Sequence, residues 1–242
     1  MKKISILVFS LFIVCGFLVA ETSTAKEKKT ENMTSKKKTK PFKLSKEEKK
    51  EGFKILFDGT SMDSWTGNTT EYILEDGCIV MHPEAEMGGN LYSKESFDNF
   101  ILRFDFMLTP GANNGLGIRH EIVPKDKGYV GMELQILDNE DEQYKDLKPY
   151  QYHGSLYGYV PAKRGFLKPV GEWNSEEVIA DGNKIKVILN GTLIMEADLK
   201  EVTKDLPPEK IQKGLLVKEG HIAFLGHGSV VKFKDIRIKP IH

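Results

Sequence analysis

The residues with the most chemistry in this 242-residue chain fall at alternate positions of short apolar runs. From Tyr129 to Leu137, the side chains of Val130, Met132, Leu134 and Ile136 share one face, and Glu133 and Gln135 project from the other. Arg119 follows Leu116 and Ile118 and, by the same alternation, points away from their core face. His153, Ser155 and Tyr157 share one face of the segment His153-Gly154-Ser155-Leu156-Tyr157-Gly158. If these strands are neighbours in one sheet, a carboxylate, an amide, a guanidinium, an imidazole and a phenol line one wall. That mixture suits sugar hydroxyls, which need paired donors and acceptors, with an aromatic ring to lie against a sugar face. Plain solvation also puts polar residues on the outer face of an antiparallel strand. What favours a site is the density of the set and the glycines between its members, which admit a ligand to the backbone.

Other candidates lie outside these runs. Asp138 directly follows the Glu133 strand and serves either the site or a turn. Lys168, Glu172 and Trp173 fall in one stretch, KPVGEWN, where the indole is either a core anchor or a stacking platform. His227, in Leu225-Gly226-His227-Gly228, either reaches the wall from a hairpin tip or caps the turn. His120 and Glu121, with His153, could hold a divalent metal, although their spacing is not diagnostic. The chain has no GxSxG elbow, HExxH helix, GxxxxGK loop or CxxC pair. Gly111 to Gly117 is glycine-rich, but no helix follows to bind phosphate, so it reads as a tight connection between two strands.

The elements that must position these residues are short strands. Phe53 to Phe57 ends at the turn Asp58-Gly59. Tyr72-Ile73-Leu74 and Cys78-Ile79-Val80 flank Glu75-Asp76-Gly77, a hairpin turn with glycine at the left-handed position. Phe100 to Leu108 alternates cleanly. Asn190-Gly191 joins the runs 184–189 and 193–195 in a second hairpin, and the runs 222–225 and 230–238 close the chain. Helical periodicity is nearly absent, apart from a turn near 205–212. Many short strands separated by glycine-rich turns imply an all-β sandwich or barrel.

The first fifty residues are of another kind. Met1-Lys2-Lys3 and the apolar run Ile4 to Ala20 form an export signal, assigned to residues 1–25, too short to be expected as a retained membrane span. Cys15-Gly16 offers an alternative, lipid-anchored processing site. Residues 26–50, with the runs Lys26–Lys29 and Lys36–Lys38, read as a disordered charged linker. Ser45 and Glu48 nevertheless have capping-box spacing for a short helix. Residues 51–242 are then the folded domain, periplasmic or at the cell surface. Lysine plus arginine equal aspartate plus glutamate at 35 each, which argues against a nucleic-acid binder.

The chain resembles the 3-keto-disaccharide hydrolase domain family. The likeness is carried by FKILFDGTSMDSW, GGNLYSKESFDNFILRFDF, NNGLGIRHE, GYVGMELQILDNE, YHGSLYG, KPVGEWN, KVILNGT and HGSVVKFKDIRI, from about Gly52 to the C-terminus. It implies a concanavalin-like jelly-roll sandwich of two antiparallel sheets. It also implies a hydrolase or lyase acting on glycosides oxidised to a ketone at C3. In such a sugar the C2 proton is acidic, so a base can remove it and the C1 substituent can leave; water then adds. The reaction needs a base near C2, a donor or metal on the ketone oxygen, and an acid for the leaving group. Carried onto this sequence, Glu133 or His153 is the base, and Arg119, Lys168 or a metal steadies the enolate. Tyr157, Asp138 or Glu172 assists departure, and Gln135, Trp173 and His227 complete the sugar contacts. The sequence departs from the family pattern at Asn113-Asn114-Gly115 and Phe224-Leu225-Gly226. A non-catalytic carbohydrate-binding module and a two-carboxylate glycosidase remain the alternatives.

Overall fold

A computed structural model of the chain describes residues 40–83, 89–123 and 130–241. The export segment, Cys15, the lysine runs and Tyr129 lie outside these residues. The described residues open on helix α1 (Lys46–Glu51), where Ser45 and Glu48 close the expected capping box. This helix belongs to the folded unit: Glu48 accepts from Arg237 Nε at 2.6 Å, and Phe42 N donates to Asp58 O. Burial pushes the Glu48 carboxyl up, but its bonds from Ser45 and Arg237 outweigh this and hold it below its usual range. The short helix that Ser45 and Glu48 signal in sequence thus packs on the sheet through charged partners.

The strands are β1 (Lys54–Phe57), β2 (Trp65–Gly67), β3 (Tyr72–Glu75), β4 (Cys78–Met81), β5 (Leu91–Phe97), β6 (Phe100–Leu108) and β7 (Asn113–His120). They continue with β8 (Met132–Leu137), β9 (Trp173–Asp181), β10 (Lys184–Leu189), β11 (Thr192–Asp198), β12 (Gly220–Gly226) and β13 (Val231–Pro240). A short helix, α2 (Leu199–Thr203), follows β11. Two antiparallel sheets result. One runs β11-β10-β9-β6-β13-β4-β3, with β1 also on β13; the other runs β2-β5-β12-β7-β8. Both expected hairpins form, with Asp76 and Asn190 at positive φ.

The inner faces of the two sheets make one core. At its centre Phe224 of β12 stacks on Phe233 of β13 at 3.8 Å, and Phe104 of β6 meets both rings. Every second residue of β6 is buried, as its alternation requires. Cys78 is the one free cysteine among the described residues, and burial raises its thiol pKa. The glycine-rich stretch 111–117 is not the tight connection it resembles in sequence. Only Gly111 and Ala112 turn, and Asn113 onward is β7, a strand inside the five-stranded sheet.

Candidate functional site

The outer face of the five-stranded sheet carries a cross-strand row fixed by register. Tyr92 of β5 lies opposite Ala223 of β12, Ala223 opposite Gly117 of β7, and Gly117 opposite Glu133 of β8. Beyond β8 the chain returns as a fragment paired through Leu134 and Leu156, and Tyr157 N donates to Glu133 O at 3.0 Å. Leu134 and Leu156 are core residues, so the pleat turns Glu133 and Tyr157 outward together. The next row holds Leu225, Gly115 and Gln135. The middle of this face is thus built from Gly115, Gly117 and Ala223, with a carboxylate and a phenol along one side.

The side chain of Glu133 lies across Gly115. A Cβ built on Gly115 would overlap the Glu133 carboxylate, so glycine is the residue that leaves room for it. His227, from the turn between β12 and β13, brings Nε2 to 3.3 Å from Glu133 Oε1. The carboxylate side chain is 12% exposed and the imidazole 44%, so the pair is held by the fold yet open to solvent. Tyr157 Oη accepts from Gln151 Nε2 at 2.9 Å, which leaves the phenol proton for another acceptor. Gln135 Nε2 donates to Asn113 Oδ1 at 3.1 Å. His120, at the end of β7, is fully buried beside Tyr92, with Nδ1 at 3.2 Å from Glu121 O; burial lowers its pKa.

Two residues expected on this wall are elsewhere. Arg119 takes φ 51°, which breaks the alternation set by Leu116 and Ile118. Its guanidinium is buried and donates to Asp98 O, Gly182 O and Asn99 Oδ1, tying together the β5–β6 and β9–β10 turns. The alternation places His153 in a strand, but residues 153–154 form a turn with Gly154 at φ 77°. That turn swings the imidazole between the sheets, 3.0 Å from Glu176 and against Phe106. His153 and His120 therefore lie on opposite sides of the five-stranded sheet. No group of three or more metal-binding side chains exists among the described residues.

The other candidates mark a second region. Asp138 and Lys168 line a 790 Å³ cleft at the end of the sandwich, with Leu108, Asn139, Pro169 and Val170. Asp138 is occupied there, accepting from Gly111 N at 3.0 Å and Glu140 N at 3.3 Å. Lys168 Nζ donates to Trp173 O at 2.8 Å. Glu172 is exposed just before β9, and Trp173 begins β9 in the eight-stranded sheet under Lys234 Nζ at 4.3 Å. Of the expected set, then, the structure gathers Glu133, Gln135, Tyr157 and His227. Sequence reasoning missed the role of Gly115, whose signal was the glycine-rich run 111–117, and Glu176, hidden beside an ordinary outward-facing Glu177.

A sequence profile described as "3-keto-alpha-glucoside-1,2-lyase-like domain" matches residues 52–239. The chain belongs to that family. All four gathered residues fall inside the matched span. A curated relative from Bacteroides thetaiotaomicron, named 3-keto-disaccharide hydrolase, is 28% identical in an alignment 229 positions long that covers 79% of each chain. A crystal structure of a candidate glycosyl hydrolase from Parabacteroides distasonis superposes with a TM-score of 0.72 at 25% identity, covering 84% of this chain and all of that one. A second from the same organism gives 0.67 at 28% identity, covering 78% and 99%. A Bacillus subtilis protein with a galectin-like fold gives 0.57 at 12% identity, covering 77% and 94%, a likeness of fold alone. The sandwich is a jelly roll of the concanavalin-like kind, as the sequence implied.

Proposed function

We propose that the chain is an exported carbohydrate hydrolase that cleaves 3-keto-glycosides by proton abstraction and elimination, with Glu133 as the base. The observation that carries this reading is the Glu133–His227 pair, held over a glycine floor on an open sheet face. The substrate class rests on the family and on the name of the Bacteroides relative. The basic start and apolar run of residues 1–20 support export.

In this scheme Glu133 takes the C2 proton, which the neighbouring ketone makes acidic. The C2–H electron pair moves into the enolate, and Tyr157 donates to the ketone oxygen as charge collects there. The enolate then expels the C1 oxygen, which leaves with a proton from His227 Nε2. The C1–O bond is broken and a C1=C2 double bond conjugated to the ketone is formed. Water then gives its oxygen to C1 and one proton to His227 Nε2, and Glu133 returns its proton to C2, completing a net hydrolysis. If water addition happens off the enzyme, the same steps make it a lyase. Gln135, anchored by Asn113, stiffens the strand beside the base.

The test is to incubate the full chain with a 3-keto-glucoside and with its unoxidised parent. Aglycone is expected from the keto form only, and Glu133→Gln should lose about 10³-fold in kcat with its fold intact, within the span of general-base effects. Binding without turnover of either sugar identifies a binding module instead. Release from both sugars points to ordinary two-carboxylate glycosidase chemistry.

A further inference from the structure

Between the sheets lies a polar pair that this chemistry does not use. His153 Nε2 and Glu176 Oε2 are 3.0 Å apart, and both side chains are 1% exposed. The contact is off the line of a hydrogen bond, and among the described residues neither side chain makes one. Glu176 sits on β9 opposite Phe104 and Leu189, in apolar surroundings. Burying such a pair costs more than filling the same space with hydrocarbon, so stability alone does not account for it.

The backbone around His153 leads to the site. His153 N donates to Asn139 Oδ1 at 2.9 Å, and Gly154 N donates to Gln135 O at 2.7 Å. Gln135 N donates to Ser155 O, and Tyr157 N donates to Glu133 O. The segment 153–157 thus forms the outer edge of β8 and carries Tyr157 beside the base. Glu176 belongs to the opposite sheet, so the pair links that edge to the far side of the sandwich.

We propose that His153 and Glu176 are positioning residues: they pin the 153–157 segment so that Tyr157 and Glu133 stay aligned for reaction. The inference rests on the proposed role of Glu133 for its catalytic consequence and on the structure alone for its mechanical one. The deciding variant is the double substitution His153→Leu with Glu176→Leu, which replaces the pair by apolar side chains.

The double variant is expected to unfold cooperatively at or above the wild-type thermal midpoint, because apolar replacements of buried ion pairs are commonly neutral or stabilising. Amide exchange at Ser155, Leu156 and Tyr157 should nevertheless speed up about tenfold as local opening becomes easier. On a 3-keto-glycoside, kcat should fall about tenfold with KM within about twofold, the mark of lost alignment. Glu176→Gln, which keeps an acceptor beside His153, should restore most of both. A double variant with wild-type exchange at 155–157 overturns the proposal, as does one whose exchange rises but whose kcat does not change. If the double variant misfolds, Glu176→Gln and Glu176→Met are compared by the same two readouts, and equal values for them overturn it. If the wild-type protein turns over no keto-glycoside, the proposed chemistry fails on its own, and the exchange measurement still decides the mechanical claim.

Discussion

The chain sets a glutamate against a histidine on the open face of one sheet and again between the sheets, and the settings differ. Glu133 and His227 meet at 3.3 Å on the outer face of the five-stranded sheet, with 12% and 44% of their side chains exposed. Glu176 and His153 meet at 3.0 Å between the sheets, with 1% of each exposed. Beside water, a carboxylate changes protonation state cheaply and a substrate can approach it. In the dry interior, charges are screened less and desolvated at greater cost, and no reactant reaches them. The same two side chains can therefore serve a reaction in one place and hold a shape in the other. Strand face and burial separate the two roles.

The widest contrast comes from breaking each pair at its carboxylate. Glu133→Gln should remove about 10³-fold of kcat and leave the urea midpoint near wild type, since its ring partner stays in contact with solvent. Glu176→Ala should instead cost mainly stability, about 3–5 kcal/mol, because it strands a buried imidazole, with only about the tenfold fall in kcat that lost alignment brings. Urea titration and steady-state kinetics on both variants check this. Equal stability losses would erase the distinction drawn from burial.

A smaller effect is expected from the floor of the open pair. Gly115→Ala places a methyl group where the Glu133 carboxylate lies. The clash is with the flexible end of a side chain, so it is relieved by moving that carboxylate and not by unfolding the strand. The outcome should be about a 10–100-fold loss in kcat with only a small change in stability, since modest misplacement of a reacting group is costly. A crystal structure of the variant would show whether the carboxylate has moved away from His227.

Much of the sandwich was legible because its signals are local. The alternation of Phe100 to Leu108 needs only its own residues to declare a buried face, and Asn190-Gly191 needs only its own backbone to declare a turn. Glu133, Gln135 and Tyr157 were legible for the same reason. Arg119 and His153 were misplaced because a single left-handed residue reverses the alternation: Arg119 itself in one case and Gly154 in the other. Asp138 and Lys168 sit near the strands that suggested them, but their polar atoms are spent on backbone partners that only the folded chain supplies. The meeting of His227 with Glu133 is a contact across 94 residues, and no spacing rule reaches that far.

His120 tests whether burial alone governs an imidazole in this fold. It shares the outer side of the five-stranded sheet with Glu133, yet it is as buried as His153. Burial is the main force lowering its pKa below 6.5, against the opposing pull of Glu121. The unfolded chain therefore takes up a proton as pH falls through about 6.5, while folded His120 resists it. Stability from this group is fully present above that pH and drains below it, by at most about 1.4 kcal/mol per pH unit. His120→Gln removes the group, so urea midpoints measured from pH 7 down to pH 5 should fall less steeply in the variant than in the wild type. Parallel slopes would mean that another group carries the acid sensitivity, and that exposure is a poorer guide to histidine behaviour here than the two pairs suggest.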